Sequence, residues 1–178
     1  MLSVNDRITQ LHLKKNLVGD AGIESIMRVV ARSKTLVHLD ISSNQLSSQG
    51  AKKVFKALLV NQSVTSLSVG TMDNVQKNKL GSQGVKHLVP LLKDSQFLAI
   101  LDIRGTVLTD SGLISLCEGL TNNKILRCLN LAKNDITAHG AVYLKQALKT
   151  TLMQELDLSG NPIGTLGVKE IAEYLQHP

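Results

Sequence analysis

The stretch LDISSNQLSSQG at residues 39–50 returns as LDIRGTVLTDSG at 101–112, LNLAKNDITAHG at 129–140 and LDLSGNPIGTLG at 156–167. Alignment on the closing glycine extends the pattern to six units, which begin near residues 8, 36, 64, 98, 126 and 153. A unit of about 28 residues cannot bury its own apolar face and must stack on its neighbours. The recurrence therefore predicts a repeat protein that fills the whole chain.

Each unit predicts a short strand followed by a helix. Leu39 and Ile41 alternate with polar residues, which is the two-residue period of a strand with one buried face. Ile23, Ile26 and Val30 recur at three and four residues, as on one face of an amphipathic helix. Strand and helix in strict alternation predict a parallel sheet with the helices on its opposite side.

The units resemble leucine-rich repeat proteins of the long, helical, ribonuclease-inhibitor-like type. Each reads apolar-x-x-Leu-x-apolar-x-x-Asn-x-apolar and then Gly, with a single departure at the Asn position. The resemblance implies an α/β leucine-rich repeat solenoid of about six repeats, a right-handed horseshoe arc with a parallel sheet on the concave face and helices on the convex face. It also implies one domain over residues 1–178.

The Asn and Gly positions have physical reasons. An Asn side chain at the strand end can satisfy backbone groups left over at the bend, from unit to unit. Thr106 replaces one Asn and predicts a weaker rung, while Gly lets each helix approach its neighbour closely. Ser48, Ser82 and Asp110 are predicted to cap helices. The structural positions are Asn16, Asn44, Asn78, Thr106, Asn134, Asn161, Gly22, Gly50, Gly84, Gly112, Gly140 and Gly167.

The regular pattern breaks in the third unit and at the two ends. The third unit carries an insertion near 71–77, which is either a contact loop at the rim of the concave face or a tolerated indel. Pro90 predicts a kinked or shortened helix in the same unit. Neither end contains a distinct capping module, which predicts that the chain is a fragment of a longer protein or that a partner covers its ends.

Composition narrows the class of protein. The net charge is +6, with an excess of basic residues in 1–93 and of acidic residues in 94–178. Two cysteines without paired spacing favour a reducing, cytoplasmic location. The sequence contains no apolar run long enough to span a membrane. The Asn61-Gln62-Ser63 sequon is interpreted as loop chemistry.

Strand side chains that point away from the helices should form a polar, partly acidic concave face. In the resembled family this face usually binds a protein partner. Interfaces favour Trp, Tyr and Arg, and this face has one Arg and no aromatic residue, so either the affinity is modest or the main contact lies elsewhere. The candidate partner-binding residues are Gln10, His12, Lys14, His38, Asp40, Ser68, Asp102, Arg104, Asn130, Glu155 and Asp157.

Other sites are weaker. His12, His38 and Asp40 are conceivable as a metal site or pH switch, but a solvated hydrogen-bonding group is favoured and no metal is predicted. Basic helix residues on the convex side suggest either an acidic or nucleic-acid partner or a solvated face, and the second is favoured. They are Arg28, Arg32, Lys52, Lys53, Lys56, Lys86 and His87.

The leading hypothesis is a non-enzymatic scaffold that binds another protein through the concave sheet face and adjoining loops. No phosphate loop, metalloprotease motif or nucleophile elbow is present in the sequence, so no catalytic residue, cofactor, small-molecule substrate or membrane contact is expected. Three alternatives remain open. They are a GTPase regulator similar to a Ran GTPase-activating family, the sensing repeats of a larger nucleotide-binding leucine-rich-repeat receptor, and RNA binding through the convex basic patch.

Overall fold

A computed structural model describes residues 5–71 and 76–176. Strand and helix alternate through six repeats, and the third repeat has its helical segment in two pieces. The strands are β1 (Gln10–His12), β2 (His38–Asp40), β3 (Ser66–Ser68), β4 (Ile100–Asp102), β5 (Cys128–Asn130) and β6 (Glu155–Asp157). The helices are α1 (Gly19–Val30), α2 (Ser48–Val60), α3 (Gly81–Lys86), α4 (Val89–Asp94), α5 (Asp110–Leu120), α6 (Ala138–Leu148) and α7 (Gly164–Leu175).

The strands form one parallel sheet in the order in which they occur in the sequence. Each strand pairs with the next in constant register, so that Leu39 lies opposite Leu11 on one side and Leu67 on the other. Leu39, Leu67, Leu101 and Leu129 are at most 1% exposed and pack against the helices. The predicted leucine-rich repeat solenoid, with an open sheet on one side and helices on the other, is confirmed.

An asparagine ladder joins the repeats where the strands end. Asn44 accepts hydrogen bonds through Oδ1 from the backbone N–H of Asn16 at 2.9 Å and of Val18 at 3.3 Å. Its Nδ2 donates to the carbonyl of Leu13 in the preceding repeat at 2.8 Å, and to carbonyls of its own repeat. The same pattern recurs at Asn78, Asn134 and Asn161.

The rung at Thr106 has a different bonding pattern, which agrees with the weaker rung expected there. Within the described residues, its hydroxyl donates only to the carbonyl of Ile103 in the same repeat, at 2.8 Å. In the other rungs, the corresponding backbone N–H donates to the Asn side chain of the next repeat. Here the N–H of Asn78 donates instead to Oγ1 of Thr71, at 3.1 Å. Thr71 is therefore a local replacement for the missing amide, a role that was not predicted from the sequence.

The insertion lies only partly within the described residues. Thr71 is buried, and Gln76 and Lys77 are half-buried, whereas the predicted loop residues Met72, Asp73, Asn74 and Val75 lie outside them. The prediction for Pro90 is confirmed in its shortened form. The helical segment breaks between Lys86 and Val89, and Pro90 lies in the first turn of α4, where its missing N–H costs no hydrogen bond.

The predicted helix caps are wrong by one residue or more. Ser48, Ser82 and Asp110 lie in the first turns of their helices rather than before them. The N-cap of α2 is Ser47, whose hydroxyl accepts from the N–H of Gln49 at 3.1 Å. Asp110 has a different task, because its carboxylate accepts from the N–H and the hydroxyl of Thr137 in the next repeat at 2.8 and 2.6 Å.

The glycines form one row, as expected. A Cβ at Gly112 would meet the Cα of Ser82 at 3.1 Å, and one at Gly167 would meet the Cα of Ala138 at 3.1 Å. Both neighbours are first-turn residues of the preceding repeat, so the absence of a side chain sets how closely the helices stack. Among the described residues, a Cβ at Gly22, in the first repeat, would meet only Val18 of its own turn.

Polar residues also hold the turns from helix to strand. Asn61 is buried, accepts from the N–H groups of Ser63 and Val64 at 2.9 and 2.8 Å, and donates to the carbonyl of Val30 at 2.7 Å. Asn5 makes the same turn with Arg7 and Ile8. The Asn61 side chain thus holds the turn through its hydrogen bonds, which agrees with the interpretation of the sequon as a structural feature of the loop.

Candidate protein-binding face

The last residue of each strand points to the concave face. These six residues form one row across the sheet, which we call the middle column. Strand register places His12, Asp40, Ser68, Asp102, Asn130 and Asp157 side by side in that order. Adjacent parallel strands lie about 4.8 Å apart, so successive side chains of this column are direct neighbours. Spacing alone predicted this juxtaposition, and the structure confirms it.

Four members of the column also have a structural task that sequence reasoning missed. Asp40 Oδ1 accepts from the N–H of Ser42 at 2.9 Å, and Asp157 Oδ1 accepts from the N–H of Ser159 at 2.9 Å. Asp102 and Asn130 make the same bond two residues ahead. Because either a carboxylate or an amide oxygen can fill this role, the recurrence of Asp or Asn two residues before the bend was the available signal.

Arg104 and Asp102 form an ion pair on this face. Nε of Arg104 lies 2.8 Å and Nη2 2.7 Å from Oδ2 of Asp102, a two-point contact that fixes the guanidinium plane. The stem of Arg104 lies over Gly70, where a Cβ would meet its Cγ at 2.9 Å. Asp102 is only 9% exposed, so little of this candidate residue is accessible to a partner.

Charges on three strands converge on this pair. The hydrogen bonds that Arg104 donates to Asp102 raise the pKa of Arg104, and the nearby carboxylates of Asp157 and Asp40 raise it further. The pKa of Asp157 lies below its ordinary value because Ser159 donates hydrogen bonds to it, with smaller contributions from Asn130 and from the charge of Arg104. Arg104 is therefore a cation set in an acidic row.

The histidines form a pair rather than a triad. The rings of His12 and His38 are 5.0 Å apart, and Nδ1 of His38 lies 2.8 Å from Oγ of Ser66. His38 thus pairs with a hydroxyl of the next strand and not with Asp40. No group of three or more potential metal ligands occurs within 5–71 and 76–176.

The other candidates differ in accessibility. Gln10, His12, Lys14 and Glu155 are exposed, and His38, Asp40, Ser68, Arg104, Asn130 and Asp157 are half-buried. The residues two positions after the middle column are less exposed than the alternation along the strands suggested, because Ser42, Gly70 and Ala132 are buried. The most accessible candidates are therefore those of the first repeat and Glu155 of the last.

Neither thiol is poised for chemistry. Cys117 is buried, and burial raises its pKa to about 12. Cys128 lies between Ile100 and Glu155 of the neighbouring strands, and partial burial together with Glu155 raises its pKa. A nucleophilic cysteine needs the opposite shift.

The convex basic patch is partly neutralised. Glu24 pairs with Arg28 at 2.8 Å and with Lys53 at 2.7 Å. Burial and the charge of Lys52 lower the pKa of His87, which disfavours its charged form. Exposed cations remain at Lys52, Lys56 and Lys86.

The repeats are those of a known family. Four stretches match a family described as Leucine Rich repeat, at residues 32–55, 94–117, 122–145 and 150–172. Together they cover more than half of the chain, which therefore belongs to the leucine-rich repeat family. The part of the chain described by the structure contains no helix long and apolar enough to cross a membrane.

Relatives support the same class and are much longer than the chain. NACHT, LRR and PYD domains-containing protein 12 of Mus musculus is 31% identical over 173 residues, which are 96% of this chain and 16% of that protein. The ribonuclease inhibitor of Sus scrofa is 28% identical over 181 residues, 100% of this chain and 38% of that protein. The chain spans less than two thirds of either relative.

A solved structure supports the fold. Leiomodin-1 Actin-Binding Site 2 superposes with a TM-score of 0.54 over 97% of this chain and 81% of that one, at 11% identity. At this identity the likeness concerns the fold alone.

Repeats of this family typically serve as binding domains without catalytic activity, which agrees with the protein-interaction class expected from the sequence.

Proposed function

We propose that the chain is a protein-binding module whose concave face binds a partner that presents basic groups. One observation carries the proposal. The concave candidates include four acidic side chains against Lys14 and Arg104, whereas the whole chain has a net charge of +6. A face of opposite sign to its surroundings attracts and orients a complementary partner.

The rigidity of the row supports this reading. Asp40, Asp102 and Asp157 are each held by a backbone N–H, and Asp102 also by Arg104. Little side-chain freedom remains to be lost on binding, so modest polar contacts can add up. The near absence of aromatic anchors predicts an interaction that depends on charge and weakens with salt.

Substitution by Asn tests this without disturbing the fold. Asn130 already occupies the same column and makes the same bond to the backbone, so Asp40→Asn combined with Asp157→Asn removes two charges and keeps both bonds. Lys52→Gln combined with Lys56→Gln is the matched control on the convex side. A photo-crosslinker at Ser68 should give defined adducts in cell extract that the Asp variant loses and the Lys variant retains. Equal loss in both variants, or adducts that are indifferent to the Asp substitutions, would refute the proposal.

A second candidate follows from the relatives. Similarity to NACHT, LRR and PYD domains-containing proteins favours sensing repeats of a larger nucleotide-binding receptor. Sequencing the full-length transcript tests this, because the receptor hypothesis requires an open reading frame with a nucleotide-binding domain in frame with these repeats. A transcript that encodes no such domain would reject it.

The remaining alternatives have direct assays. GTPase regulation predicts faster GTP hydrolysis by at least one member of a GTPase panel when the chain is added. RNA binding through the convex side predicts an association that falls steeply with salt and is lost when Lys52, Lys53 and Lys56 become Glu. The pairing of Lys53 with Glu24 leaves fewer cations for such a contact.

A further inference from the structure

The turn that leads into β4 is apolar where the same turn of the preceding repeat is polar. Residues 97–100 read FLAI, and their counterparts at 63–66 read SVTS, with a buried core residue second in each stretch. Phe97 is 38% exposed and Ile100 is 44% exposed, and Ala99 between them is half-buried. We call Phe97, Ala99 and Ile100 the apolar patch.

The fold does not require apolar side chains at these positions. The N–H groups of Ala99 and Ile100 donate to the Thr65 carbonyl at 2.8 and 2.9 Å, just as those of Thr65 and Ser66 donate to the Val37 carbonyl at 2.9 and 3.1 Å. The same backbone geometry is therefore built with polar side chains one repeat earlier. A single exposed apolar residue is ordinary, whereas several in one turn indicate a contact surface.

Ile100 lies midway between the two acids that the binding test neutralises. Strand register places it between Ser66 of β3 and Cys128 of β5, so both of its neighbours in the sheet are within the chain. Asp40 on β2 and Asp157 on β6 are each two strands away, on opposite sides. Two strand spacings are about 10 Å, and the offset of two residues along the strand is about 7 Å, so each acid is about 12 Å from Ile100.

The cations nearest to the apolar patch have hydrogen-bonding partners of their own. Arg104 pairs with Asp102, with Nη2 2.7 Å from Oδ2. Arg127 is the neighbour of Ala99 in the sheet, and its Nη1 donates to the Lys124 carbonyl at 2.7 Å. The surface therefore combines exposed apolar side chains with a half-buried carboxylate on either side.

This arrangement is complementary to an apolar side chain that has a cationic group on each side. In an extended segment, side chains four residues apart lie on the same face and about 13 Å apart. The pattern basic-x-x-x-apolar-x-x-x-basic therefore matches the spacing of the two acids about Ile100. Opposite charge orients such a segment, and apolar contact adds affinity that solvent-exposed ion pairs lack.

We propose that the concave face binds an extended basic segment of a protein partner. The central apolar side chain of the segment packs on the apolar patch, and its flanking cations meet Asp40 and Asp157. This inference rests on the proposed function, to which it adds an apolar anchor and a defined spacing of charges. The main contact of a face without aromatic residues in its middle column is then the patch beside that column.

A nine-residue peptide serves as the probe. It has lysine at both ends, leucine at the centre, serine and threonine between them, and blocked termini. Three matched peptides carry serine in place of leucine, glutamate in place of both lysines, or the two lysines next to each other at one end. Nuclear magnetic resonance of the labelled full chain, titrated into the millimolar range, gives the affinity and the site of binding.

The test variant transfers the polar residues of the preceding repeat. Phe97→Ser, Ala99→Thr and Ile100→Ser are combined in one chain, which then has at these positions the residues found at 63, 65 and 66. Val142→Ser, on α6 and 40% exposed, is the control at a similarly exposed apolar position on the convex side. Both chains should retain the circular dichroism of wild type.

The expected result is a coupling between the leucine of the peptide and the apolar patch. Wild type and Val142→Ser should bind the leucine peptide at least about fivefold more tightly than the serine peptide, whereas the triple variant should bind the two equally. The peptide with adjacent lysines should bind more weakly than the spaced one, and the glutamate peptide should not bind. Asp40→Asn combined with Asp157→Asn should weaken the leucine and serine peptides by the same factor.

The outcomes separate this inference from the proposed function. If the triple variant keeps the preference for leucine, or if spaced and adjacent lysines bind equally, the inference fails, and weaker binding by the Asp variant still supports the acidic face. Binding that is indifferent both to the Asp substitutions and to glutamate in the peptide contradicts the proposed function and the inference together. A leucine peptide that does not bind at millimolar concentration overturns the inference alone.

Discussion

The rung between the second and third repeats and the rung between the third and fourth solve the same problem with different atoms. At the first, Asn44 N–H meets Oδ1 of Asn78 in the next repeat at 2.9 Å. At the second, Thr106 offers no acceptor of that reach, and Asn78 N–H turns back to Thr71 of its own repeat at 3.1 Å. The first rung ties two repeats together, whereas the second satisfies the backbone without tying them.

The difference shows that satisfaction of buried polar groups and cohesion between repeats are separable. Backbone bonds still join the third repeat to the fourth, for example from Thr71 N–H to the Arg104 carbonyl at 2.7 Å and from Gly81 N–H to the Thr106 carbonyl at 3.0 Å. The sheet is therefore continuous across the weaker rung. The side-chain hydrogen bonds between the two repeats are missing there, and the following substitutions measure what such bonds contribute to the free energy of unfolding.

The largest effect is expected at a complete rung. Asn44→Ala should lower the free energy of unfolding by about 3 kcal/mol, because it leaves several buried backbone donors and acceptors without a partner. Thr106→Val removes one hydroxyl bond and should cost about 1 kcal/mol. Urea unfolding monitored by circular dichroism gives both values. Equal losses at the two sites would mean that the rungs do not differ.

Asn16→Ala is the control for this comparison. Asn16 is exposed, and within the described part of the chain its Nδ2 donates only to the Lys14 carbonyl of its own turn, at 3.3 Å. We expect a change within about 0.5 kcal/mol, as for ordinary surface substitutions. A loss as large as that of Asn44→Ala would show that helix or turn propensity, not the ladder, dominates at this position.

A second comparison concerns the glycine row. Gly112→Ala would place a Cβ against Leu108 and 3.1 Å from the Ser82 Cα, so the helices must separate, at a cost of about 2 kcal/mol. Among the described residues, a Cβ at Gly22 would meet only the side chain of Val18 in its own repeat, at 2.9 Å, so no pair of helices must separate, and alanine favours the helix by up to about 1 kcal/mol. Thermal unfolding of the two variants checks the difference, and similar melting temperatures would contradict close packing as the reason for glycine.

The third comparison asks whether Thr71 is the substitute for the missing amide. Thr71→Val should cost about 1 kcal/mol, since it removes the acceptor for Asn78 N–H. In a Thr106→Asn background the cost should shrink, because an amide at 106 can accept that bond across the repeats. A double-mutant cycle measures the coupling. Strictly additive effects would show that Thr71 and position 106 do not share this donor.

Most of the features predicted from the sequence recur in every repeat, and most of those that were missed depend on the geometry of particular side chains. Repetition fixed the register of Leu39 and its counterparts, the Asn ladder and the glycine row, because six aligned copies report the same environment. The cap at Ser47, the rescue by Thr71 and the burial of Asp102 under Arg104 involve side-chain geometry that a period cannot encode. Asp110 illustrates the point, since its polarity suggested a cap, but its partner is Thr137 of the following repeat.

The position of the candidate site could be predicted from the sequence, but the roles of its residues could be predicted only in part. Alternation along each strand placed Asp40, Asp102 and Asp157 in one column, but the column serves the backbone as well as solvent. The number of acidic side chains in the column is therefore larger than the number that is free to bind a partner. Asp40 and Asp157 remain the accessible members, which is why the binding test neutralises these two and spares Asp102.

The smallest expected effect is a pH dependence that comes from Asp157. Hydrogen bonds from Ser159, supported by Asn130 and Arg104, hold its pKa below the ordinary value of 3.8. A carboxylate with a lower pKa in the folded state stabilises the fold fully above the unfolded value and loses that contribution as pH falls through the folded value. Asp157→Asn should therefore flatten the decline of stability below about pH 4, and Ser159→Ala, which keeps the backbone donor, should flatten it less. Urea midpoints measured between pH 2 and 6 decide the matter, and an unchanged slope in Asp157→Asn would place the acid sensitivity of the fold on other carboxylates.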